Sequence, residues 1–218
     1  MRKKENLNEI YNILYSHYGP RYWWPADTPF EVIVGAILTQ NTNWKNVEKA
    51  IRNLKLAGYL DIRKISKIRK DGLEELIKPS GFYRQKAERL QNFCRLLLNE
   101  YGSIENMFRE RPGDLRNKLL SQKGIGPETA DSILLYAGNF PFFVIDSYTK
   151  RVFDRLGFRI NDNYEDIRNF FESNIPKNVG IYKEYHALIV EFAKDFCRKR
   201  PLCEKCPLKK KCSYNRFH

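Results

Sequence analysis

The stretch Gln122-Lys123-Gly124-Ile125-Gly126-Pro127-Glu128-Thr129-Ala130 decides the fold, because it joins two helical segments through a tight turn. Two glycines two positions apart let the backbone approach a ligand closely. Pro127 suits the first position of a helix, where its missing N–H costs nothing. We therefore predict a helical hairpin whose amide groups and helix N-terminus point outward together, an arrangement suited to a phosphate.

A lone Gly-x-Gly also occurs in ordinary turns between two helices, so the rest of the chain must decide between the two interpretations. Lys123 adds a positive charge at the turn, and Leu119, Leu120 and Ile125 can pack beneath it. The chain holds 39 Lys and Arg against 26 Asp and Glu, a net charge of +13. This balance favours a polyanionic partner, with nucleic acid ahead of a membrane surface.

Helical periodicity dominates the whole chain and predicts an all-α protein. The predicted helices are 5–18, 29–39, 43–57, 71–78, 83–100, 113–121, 127–138, 147–156, 164–173 and 181–196. One strand-like run, residues 142–145, is short enough to be an extended connector. No apolar run is long enough to span a membrane and the N-terminus lacks a signal-peptide core, so we expect a cytoplasmic protein.

Four of the five cysteines lie within sixteen residues near the C-terminus, with the spacing Cys197-x5-Cys203-x2-Cys206-x5-Cys212. Such a cluster predicts a metal site in a reducing compartment, and both zinc and a [4Fe–4S] cluster suit four thiolates. Spacing alone does not separate the two. The same segment is strongly basic and includes Lys209, Lys210 and Lys211. Cys94, in an apolar helical stretch, is expected to be a buried structural thiol.

Asp146 follows the hairpin after one helix and one extended segment. The helix from Gly126 covers about 18 Å, and the return to Ile145 spans up to about 23 Å, so the chain can come back beside the hairpin. On the isolated sequence the favoured role of Asp146 is a helix N-cap. A carboxylate next to a phosphate-binding hairpin is also placed for catalysis on DNA, and capping does not exclude that.

Two motifs together resemble the endonuclease III superfamily of DNA glycosylases: Lys-Gly-Ile-Gly-Pro-Glu-Thr-Ala-Asp (123–131) and Val-Ile-Asp-Ser-Tyr (144–148). Residues 79–88 and 38–42 resemble further segments of that family. The resemblance implies a six-helix barrel with the hairpin (26–132) and a terminal helical domain (1–25 and 133–218), with the active site in a cleft between them. It implies that Asp146 is the catalytic carboxylate and that Gln40 enters the space left by a flipped base. The hairpin residues Lys123, Gly124, Gly126 and Thr129, with Lys209 to Lys211, are then the DNA contacts.

Glu128 departs from the members of that family that also cleave the DNA strand, which carry a lysine at the matching position. A carboxylate cannot form their Schiff base, so we predict a monofunctional glycosylase that uses water as nucleophile. An acid in the first turn of a helix is also stabilised by the helix dipole, and the two roles are compatible. We expect Asp146 to be essential and Glu128 to contribute.

Trp23-Trp24-Pro25, Trp44 and Glu128 together resemble the 3-methyladenine DNA glycosylases of the endonuclease III type, in which aromatic residues sandwich the extruded base. Core packing is the alternative role for tryptophans. Purines methylated at N3 or N7 carry positive charge, so an aromatic box offers cation–π attraction of about 0.5–2 kcal/mol per contact. This resemblance predicts excision of 3-methyladenine, and of 7-methylguanine as a further substrate, from double-stranded DNA.

The same resemblance favours [4Fe–4S] over zinc for the cysteine cluster, although the family's usual first gap is one residue longer. Two other functions stay open at this point. A mismatch uracil or thymine DNA glycosylase belongs to the same superfamily, and a non-catalytic helix-hairpin-helix protein would use the hairpin and the charge alone. The default oligomeric state for an enzyme that scans duplex DNA is a monomer.

Overall fold

The computed structural model describes residues 4–158 and 163–214, with side chains from Leu7 onward. Twelve α-helices occur in these two ranges: α1 (Lys4–Tyr18), α2 (Pro29–Leu38), α3 (Trp44–Leu56), α4 (Ile62–Lys67), α5 (Lys70–Ile77), α6 (Tyr83–Leu96), α7 (Ile104–Met107), α8 (Pro112–Ser121), α9 (Pro127–Ser132), α10 (Ser147–Leu156), α11 (Tyr164–Asn174) and α12 (Val179–Asp195). Short π-helical turns extend α6 (Leu97–Tyr101) and α9 (Ile133–Ala137).

All ten helices predicted from periodicity are present, which confirms the all-α assignment. The sequence missed α4 and α7, which have six and four residues and are too short to show a helical period. The strand-like run 142–145 is extended, and no strand occurs in the described ranges. No helix within residues 4–158 or 163–214 is both long and apolar enough to cross a membrane.

The chain divides into a central unit, residues 26–140, and a terminal unit built from residues 1–25 and 141–218. We expected the central unit to span residues 26–132, whereas in the structure it extends to Phe140. The turn Ile133–Ala137 packs on α2, and the Phe140 amide donates to the Leu134 carbonyl at 2.9 Å. The Phe140 ring also contacts Phe108, with centroids 6.0 Å apart. These contacts keep residues 133–140 with the central helices.

Helix α2 is the core of the central unit. Every residue from Phe30 to Leu38 is buried, and α3, α6, α9 and the turn after α9 all pack on it. A helix that is apolar on all sides belongs at the centre of a bundle. Thr28 begins it as N-cap, with its hydroxyl oxygen accepting from the Glu31 amide at 3.2 Å. Thr39, directly after α2, and Gln40 then lead out of this buried helix.

Lys86 is fully buried in the central unit, which is rare for a lysine. Its amine donates to the carbonyl oxygens of Leu38 at 2.8 Å and Ser80 at 2.7 Å. The first of these bonds ties down the last carbonyl of α2. Burial, with a smaller contribution from Arg89, lowers the pKa of Lys86 to about 8.

The terminal unit is built on α12, which packs on α1 and α10. Aromatic rings fill its interior: Phe143, Phe153, Phe171, Tyr182 and Tyr185 contact one another with centroids 4.4 to 6.4 Å apart. The Tyr185 hydroxyl donates to the Leu7 carbonyl at 2.9 Å, which joins the N-terminal helix to the C-terminal half of the unit. The two ends of the chain therefore form one core.

We expect the stability difference between the wild-type protein and Lys86→Met to widen as pH rises from 8 to 10.5. The amine titrates at about 8 when folded and near its ordinary 10.5 when unfolded, so the unfolded state binds more protons in this window. Full titration corresponds to roughly 3 kcal/mol in favour of the wild type. Urea unfolding of both proteins at several pH values measures the difference. Lys67→Met, at an exposed lysine, is the control, and a pH-independent gap for Lys86→Met would contradict the prediction.

Candidate functional site

The predicted hairpin is formed by α8, the turn 122–126 and α9. Within the turn, the Ile125 amide donates to the Gln122 carbonyl at 3.0 Å, and the Ile125 side chain is buried. Gly126 is the N-cap of α9, and Pro127 is its first residue, as predicted. Lys123 projects outward with a 90% exposed side chain. The turn thus has an apolar underside and a basic, accessible outer face.

Gly124 has two reasons to be glycine. Its φ is +86°, a left-handed conformation that side chains disfavour. A Cβ at this position would also lie 2.7 Å from Cδ of Arg89, whose side chain lies against the turn. Arg89 comes from α6, so the backbone of the hairpin turn contacts a helix outside the hairpin. Its guanidinium adds a cation to that of Lys123 at the turn.

A buried ion pair locks the two helices of the hairpin. The Arg116 guanidinium on α8 donates from Nε to Asp131 Oδ1 at 2.6 Å and from Nη2 to Oδ2 at 3.1 Å. Asp131, on α9, has no exposed surface, and Arg116 is also buried. A two-point contact of this kind fixes both distance and orientation. The hairpin geometry therefore depends on this pair as well as on the glycine turn.

The side chain of Gln40 makes three hydrogen bonds, two to the hairpin and one to Arg89 of α6. Its Nε2 donates to the Gly124 carbonyl at 3.0 Å and to the Thr129 hydroxyl at 2.9 Å. Its Oε1 accepts a short hydrogen bond from Arg89 Nη1. Thr129, predicted as a DNA contact, is buried and receives Gln40. A Gln40 that enters DNA must first leave these three partners.

Asp146 is positioned by an extended segment that α11 holds in place. The Phe143 amide donates to Glu172 Oε1 at 2.9 Å, and the Ile145 amide donates to the Tyr164 hydroxyl at 3.3 Å. Both partners lie on α11, and Arg168 pairs with Glu172 at 3.0 Å. Alternate amides of one extended segment are therefore bonded to one helix, which brings Asp146 to the start of α10.

The Asp146 carboxylate caps α10, as the sequence favoured: Oδ1 accepts from the Thr149 amide at 2.7 Å. Its other oxygen, Oδ2, lies 3.6 Å from His186 Nε2. Asp146 is 9% exposed. Burial alone would raise its pKa, but the His186 imidazole and the Thr149 amide outweigh burial and lower the pKa below the ordinary value. The site thus holds a buried carboxylate in its charged form.

Glu128 lies in the first turn of α9 and is exposed, and its own carbonyl accepts from the Ser132 hydroxyl at 2.7 Å. It belongs to the central unit, whereas Asp146 belongs to the terminal unit. The structure therefore presents one accessible carboxylate on the hairpin and one buried carboxylate at the start of α10.

The predicted aromatic residues are divided between the units. Trp23 and Trp24 meet edge to face with centroids 6.1 Å apart, and the Lys194 ammonium lies 5.4 Å from the Trp23 ring centroid. Pro25 is exposed beside them. Trp44 begins α3 in the central unit, and its Nε1 donates to Glu48 at 2.7 Å. Both Trp23 and Trp24 are partly accessible, so neither is a pure core residue.

The four clustered cysteines line one pocket of the terminal unit, together with apolar side chains such as Val152, Leu156 and Phe192. All four are free thiols, and burial raises the pKa of Cys206 to about 11. In residues 4–158 and 163–214, no three Cys, His, Asp or Glu side chains are arranged to hold a single metal ion. Arg155 donates to Cys197 Sγ at 3.5 Å and to the Lys199 carbonyl at 3.1 Å. Cys94 is buried, as predicted.

The basic segment at the cysteines is exposed at all three predicted lysines, which form a short 3-10 turn, Lys209–Lys211. Lys211 pairs with Glu9 of α1 at 2.6 Å. Lys209 and Lys210 lie on the same turn. Two of the three lysines are therefore presented on a turn that the third attaches to the body of the unit.

The family of this chain is shown by its similarity to known proteins. A family model described as "HhH-GPD superfamily base excision DNA repair protein" matches residues 34–177, more than half of the chain. The chain belongs to this superfamily. It is thus a DNA glycosylase of base excision repair, and the family predicted from the hairpin and the Asp146 motif is confirmed.

Several members of the HhH-GPD superfamily match most of the chain. A protein of Methanocaldococcus jannaschii, named as a candidate DNA repair glycosylase, is 54% identical over 205 residues, covering 92% of this chain and 93% of its own. Endonuclease III of Thermotoga maritima is 32% identical over 176 residues, which are 80% of this chain and 78% of the relative. The crystal structure of Helicobacter pylori 3-methyladenine DNA glycosylase, bound to 1,N6-ethenoadenine, matches with a TM-score of 0.78 and 35% identity. The match covers 86% of this chain and 97% of the Helicobacter chain. Endonuclease III in a complex with DNA has the same fold, with a TM-score of 0.85 and 24% identity. The match covers 100% of this chain and 98% of that endonuclease III chain.

Sequence reasoning missed two residues that the structure connects to the site, and one exposed aromatic residue. His186 contacts Asp146 across forty positions of sequence, so no local pattern could reveal it. Arg89 contacts the hairpin from another helix. Phe82 is 63% exposed at a φ of +45°, a strained conformation for an aromatic residue. Its position directly after Gly81 was the available signal.

Replacing Arg116 by Met should cost about 3–5 kcal/mol of unfolding free energy, because Asp131 would stay buried without its guanidinium partner. Arg111→Met, at the N-cap residue directly before the same helix, is the matched control. Its partner Asp114 is an exposed acid three residues away, so we expect a loss below about 1 kcal/mol. Chemical denaturation measures both, and equal losses would show that the buried pair does not hold the hairpin. The double variant Arg116→Met, Asp131→Leu should recover part of the stability.

Proposed function

We propose that this protein is a monofunctional DNA glycosylase that removes alkylated purines, first of all 3-methyladenine, from double-stranded DNA. The observation that carries the catalytic part is the buried Asp146 carboxylate, whose pKa is lowered by His186 and by the Thr149 amide in spite of burial. A fixed negative charge in a site of low water content is what a cationic sugar transition state requires. The enzyme acts as a monomer on a duplex that contains the damaged base.

The reaction is hydrolysis of the N-glycosidic bond. The bond breaks with its electron pair moving to the base, and positive charge develops on the sugar, where Asp146 stabilises it. Water adds to the sugar carbon and loses a proton. A purine methylated at N3 or N7 is already cationic and leaves as a neutral molecule, so little general-acid assistance is needed. This explains why a site with one essential carboxylate suffices for alkylated bases.

Glu128 supports a monofunctional enzyme. Strand cleavage by a glycosylase of this kind needs an amine that forms a Schiff base with the sugar. The first turn of α9 offers an exposed carboxylate at that place instead. Glu128 contributes to catalysis by orienting water or by adding negative charge, a role secondary to that of Asp146.

Trp23, Trp24 and Pro25 of the terminal unit are proposed to contact the extruded base, and Trp44 of the central unit is proposed as a further base contact. The edge-to-face pair Trp23–Trp24 offers a π face to a cationic base. Tyr22, just before them, is 86% exposed with a φ of +49°, and strain of this kind is concentrated at functional segments. The 35% identity to the Helicobacter pylori 3-methyladenine DNA glycosylase supports the same substrate class.

Excision of uracil or thymine is the second candidate, and Lys194 favours it. Its ammonium already lies 5.4 Å from the Trp23 centroid, where it repels a cationic base. A neutral pyrimidine leaves as an anion, which a nearby ammonium stabilises. Lys194 is exposed, so water screens its effect. We therefore rank this activity below removal of alkylated purines.

DNA is held by the hairpin and by the basic turn. Lys123 and the backbone at Gly124 and Gly126 bind one phosphate segment, and Lys209, Lys210 and Lys211 bind another, none of them reading sequence. Gln40, after release from the hairpin, enters the space left by the flipped base, and the exposed Phe82 ring is an apolar wedge between bases. Flipping is easiest for damaged bases, which adds to selectivity.

The cysteine pocket is proposed to hold a [4Fe–4S] cluster, with Cys197, Cys203, Cys206 and Cys212 as ligands. Four thiols that share one apolar pocket suit a cluster. Four thiolates also suit a tetrahedral zinc ion, which is the alternative. The cluster's role is structural: it holds the basic turn in position.

The test of function is release of free base from duplexes that carry 3-methyladenine, 7-methylguanine, U:G, T:G or thymine glycol, with Asp146→Asn as the variant. The wild type should release 3-methyladenine fastest, and the strand should break only after alkali. Asn can still accept the Thr149 amide as a helix cap, so the variant should fold normally. Its rate should fall at least about 100-fold, since one preorganised charge contributes that much.

Each other outcome of this assay decides an alternative. Fastest release from U:G would make the second candidate correct. Strand breakage without alkali, or a borohydride-trapped complex, would contradict the monofunctional assignment. No release from any duplex, with equal affinity for intact and abasic DNA, would indicate a non-catalytic binding protein.

Iron and acid-labile sulfide should be present at about four atoms each per chain after anaerobic purification. Cys203→Ser should lower both and weaken DNA binding, since the lysine turn lies between Cys206 and Cys212. Cys94→Ser, at the buried thiol outside the pocket, is the control and should keep the full iron content. One equivalent of zinc with no sulfide would replace the cluster by the alternative.

A further inference from the structure

We propose that His186 is a positioning residue of the glycosylase site, whose imidazole faces the second carboxylate oxygen of Asp146, Oδ2, and keeps the carboxylate charged. The inference rests on the proposed function, because it concerns the residue that acts through Asp146. Nothing in the family match or in the names of the related proteins assigns a role to this histidine.

The geometry divides the two oxygens of Asp146 between two tasks. Oδ1 is committed to the Thr149 amide at 2.7 Å and so fixes the carboxylate to α10. Oδ2 lies on the side of His186, 3.6 Å from Nε2. The second distance is longer than a hydrogen bond and within the range of an ion pair. Oδ2 is therefore the oxygen that remains for a substrate, and His186 is the group beside it.

Both members of the pair are shielded from water. Asp146 is 9% exposed and His186 is 6% exposed. They come from different helices, α10 and α12, which pack on each other in the terminal unit. A charge in such surroundings is kept only if a partner compensates for the lost hydration. The cap hydrogen bond supplies part of this compensation, and the His186 imidazole facing Oδ2 supplies the rest.

The pKa direction agrees with this arrangement. Burial acts to raise the pKa of Asp146, and the His186 imidazole is the largest influence that opposes burial. Without His186, the Thr149 amide alone would face the full effect of burial. We then expect the carboxyl to take up a proton at higher pH, and a neutral acid cannot stabilise a cationic sugar.

Other titratable groups around α12 are engaged elsewhere. On α10, Arg151 donates to the Cys197 carbonyl and Arg155 to the Lys199 carbonyl. On α1, Tyr11 packs against Tyr185 of α12, and burial raises the pKa of both phenols, which stay neutral. The remaining groups near His186 on its own helix are Tyr182, whose pKa burial raises to about 12, Lys183, whose pKa burial lowers, and Glu184, which accepts from the Arg21 amide. Asp146 is the carboxylate that the structure pairs with His186.

The experiment measures single-turnover base release against pH for the wild type, His186→Gln and His186→Phe. The wild-type rate should stay level down to about pH 5, whereas the His186→Phe rate should already fall below about pH 6.5. Near pH 8 the two rates should differ by less than about 5-fold, since Asp146 is then ionised in both. His186→Gln keeps an amide donor and should give an intermediate profile. His17→Gln, at an exposed histidine of α1, is the control.

Two results would overturn the proposal. A loss of rate by the same factor at every pH, together with a lower unfolding temperature, would show that His186 only fills space. An unchanged profile in both variants would show that it has no influence on Asp146. A carboxyl-carbon NMR titration of Asp146 in the wild type and in His186→Gln reads the pairing without any activity. If the wild type releases no base, the proposed function fails, and this titration still decides the role of His186.

Discussion

Charges that leave water must be paired, and this constraint governs each part of the site. The Arg116–Asp131 pair joins the two helices of the hairpin within the central unit. Lys86 binds the last carbonyl of α2, two residues before Gln40, and so fixes the start of the segment that carries it. Asp146 is held by its helix cap and by His186. Removing any one of these partners would leave a buried polar group without compensation, so contacts that stabilise the fold also hold some of the proposed functional residues in place.

The hairpin has an outer face that is proposed to contact DNA and inner groups that bind the side chain of Gln40. Its outer face offers Lys123 and a glycine turn, while its inner groups, the Gly124 carbonyl and the Thr129 hydroxyl, bind Gln40. Arg89 contacts both the turn and Gln40, which links phosphate binding at the turn to the state of Gln40. A phosphate that attracts Arg89 would weaken one of the three bonds that retain Gln40. Within the central unit, the proposed phosphate contact and the proposed entry of Gln40 into DNA therefore depend on one hydrogen-bonded network.

The chemistry is divided between a carboxylate that is buried and one that is exposed. Asp146 has the surroundings of a catalytic group, since burial and a specific partner act on its pKa in opposite directions. Glu128 occupies a helix start, where an acid is favoured by the dipole. A site with a fixed negative charge, and with Glu128 where strand-cleaving members carry a lysine, agrees with the proposed hydrolysis rather than strand cleavage. The HhH-GPD superfamily sets the reaction class, and the aromatic residues are proposed to select the base.

Local patterns in the chain were sufficient for the helices, the hairpin, the Asp146 cap and the cysteine cluster, because each of these depends on neighbours within about one turn of chain. Gly124 and Pro127 predict the turn, and the helical periodicity of apolar residues predicts the ten longer helices. The contacts of His186 with Asp146, Arg89 with Gln40 and Arg116 with Asp131 depend on packing between different segments of the chain. Periodicity shows that such a helix has a buried face and leaves open which residue it meets there. Those partners, and with them the charge of Asp146 and the retention of Gln40, follow from the packing of the folded chain.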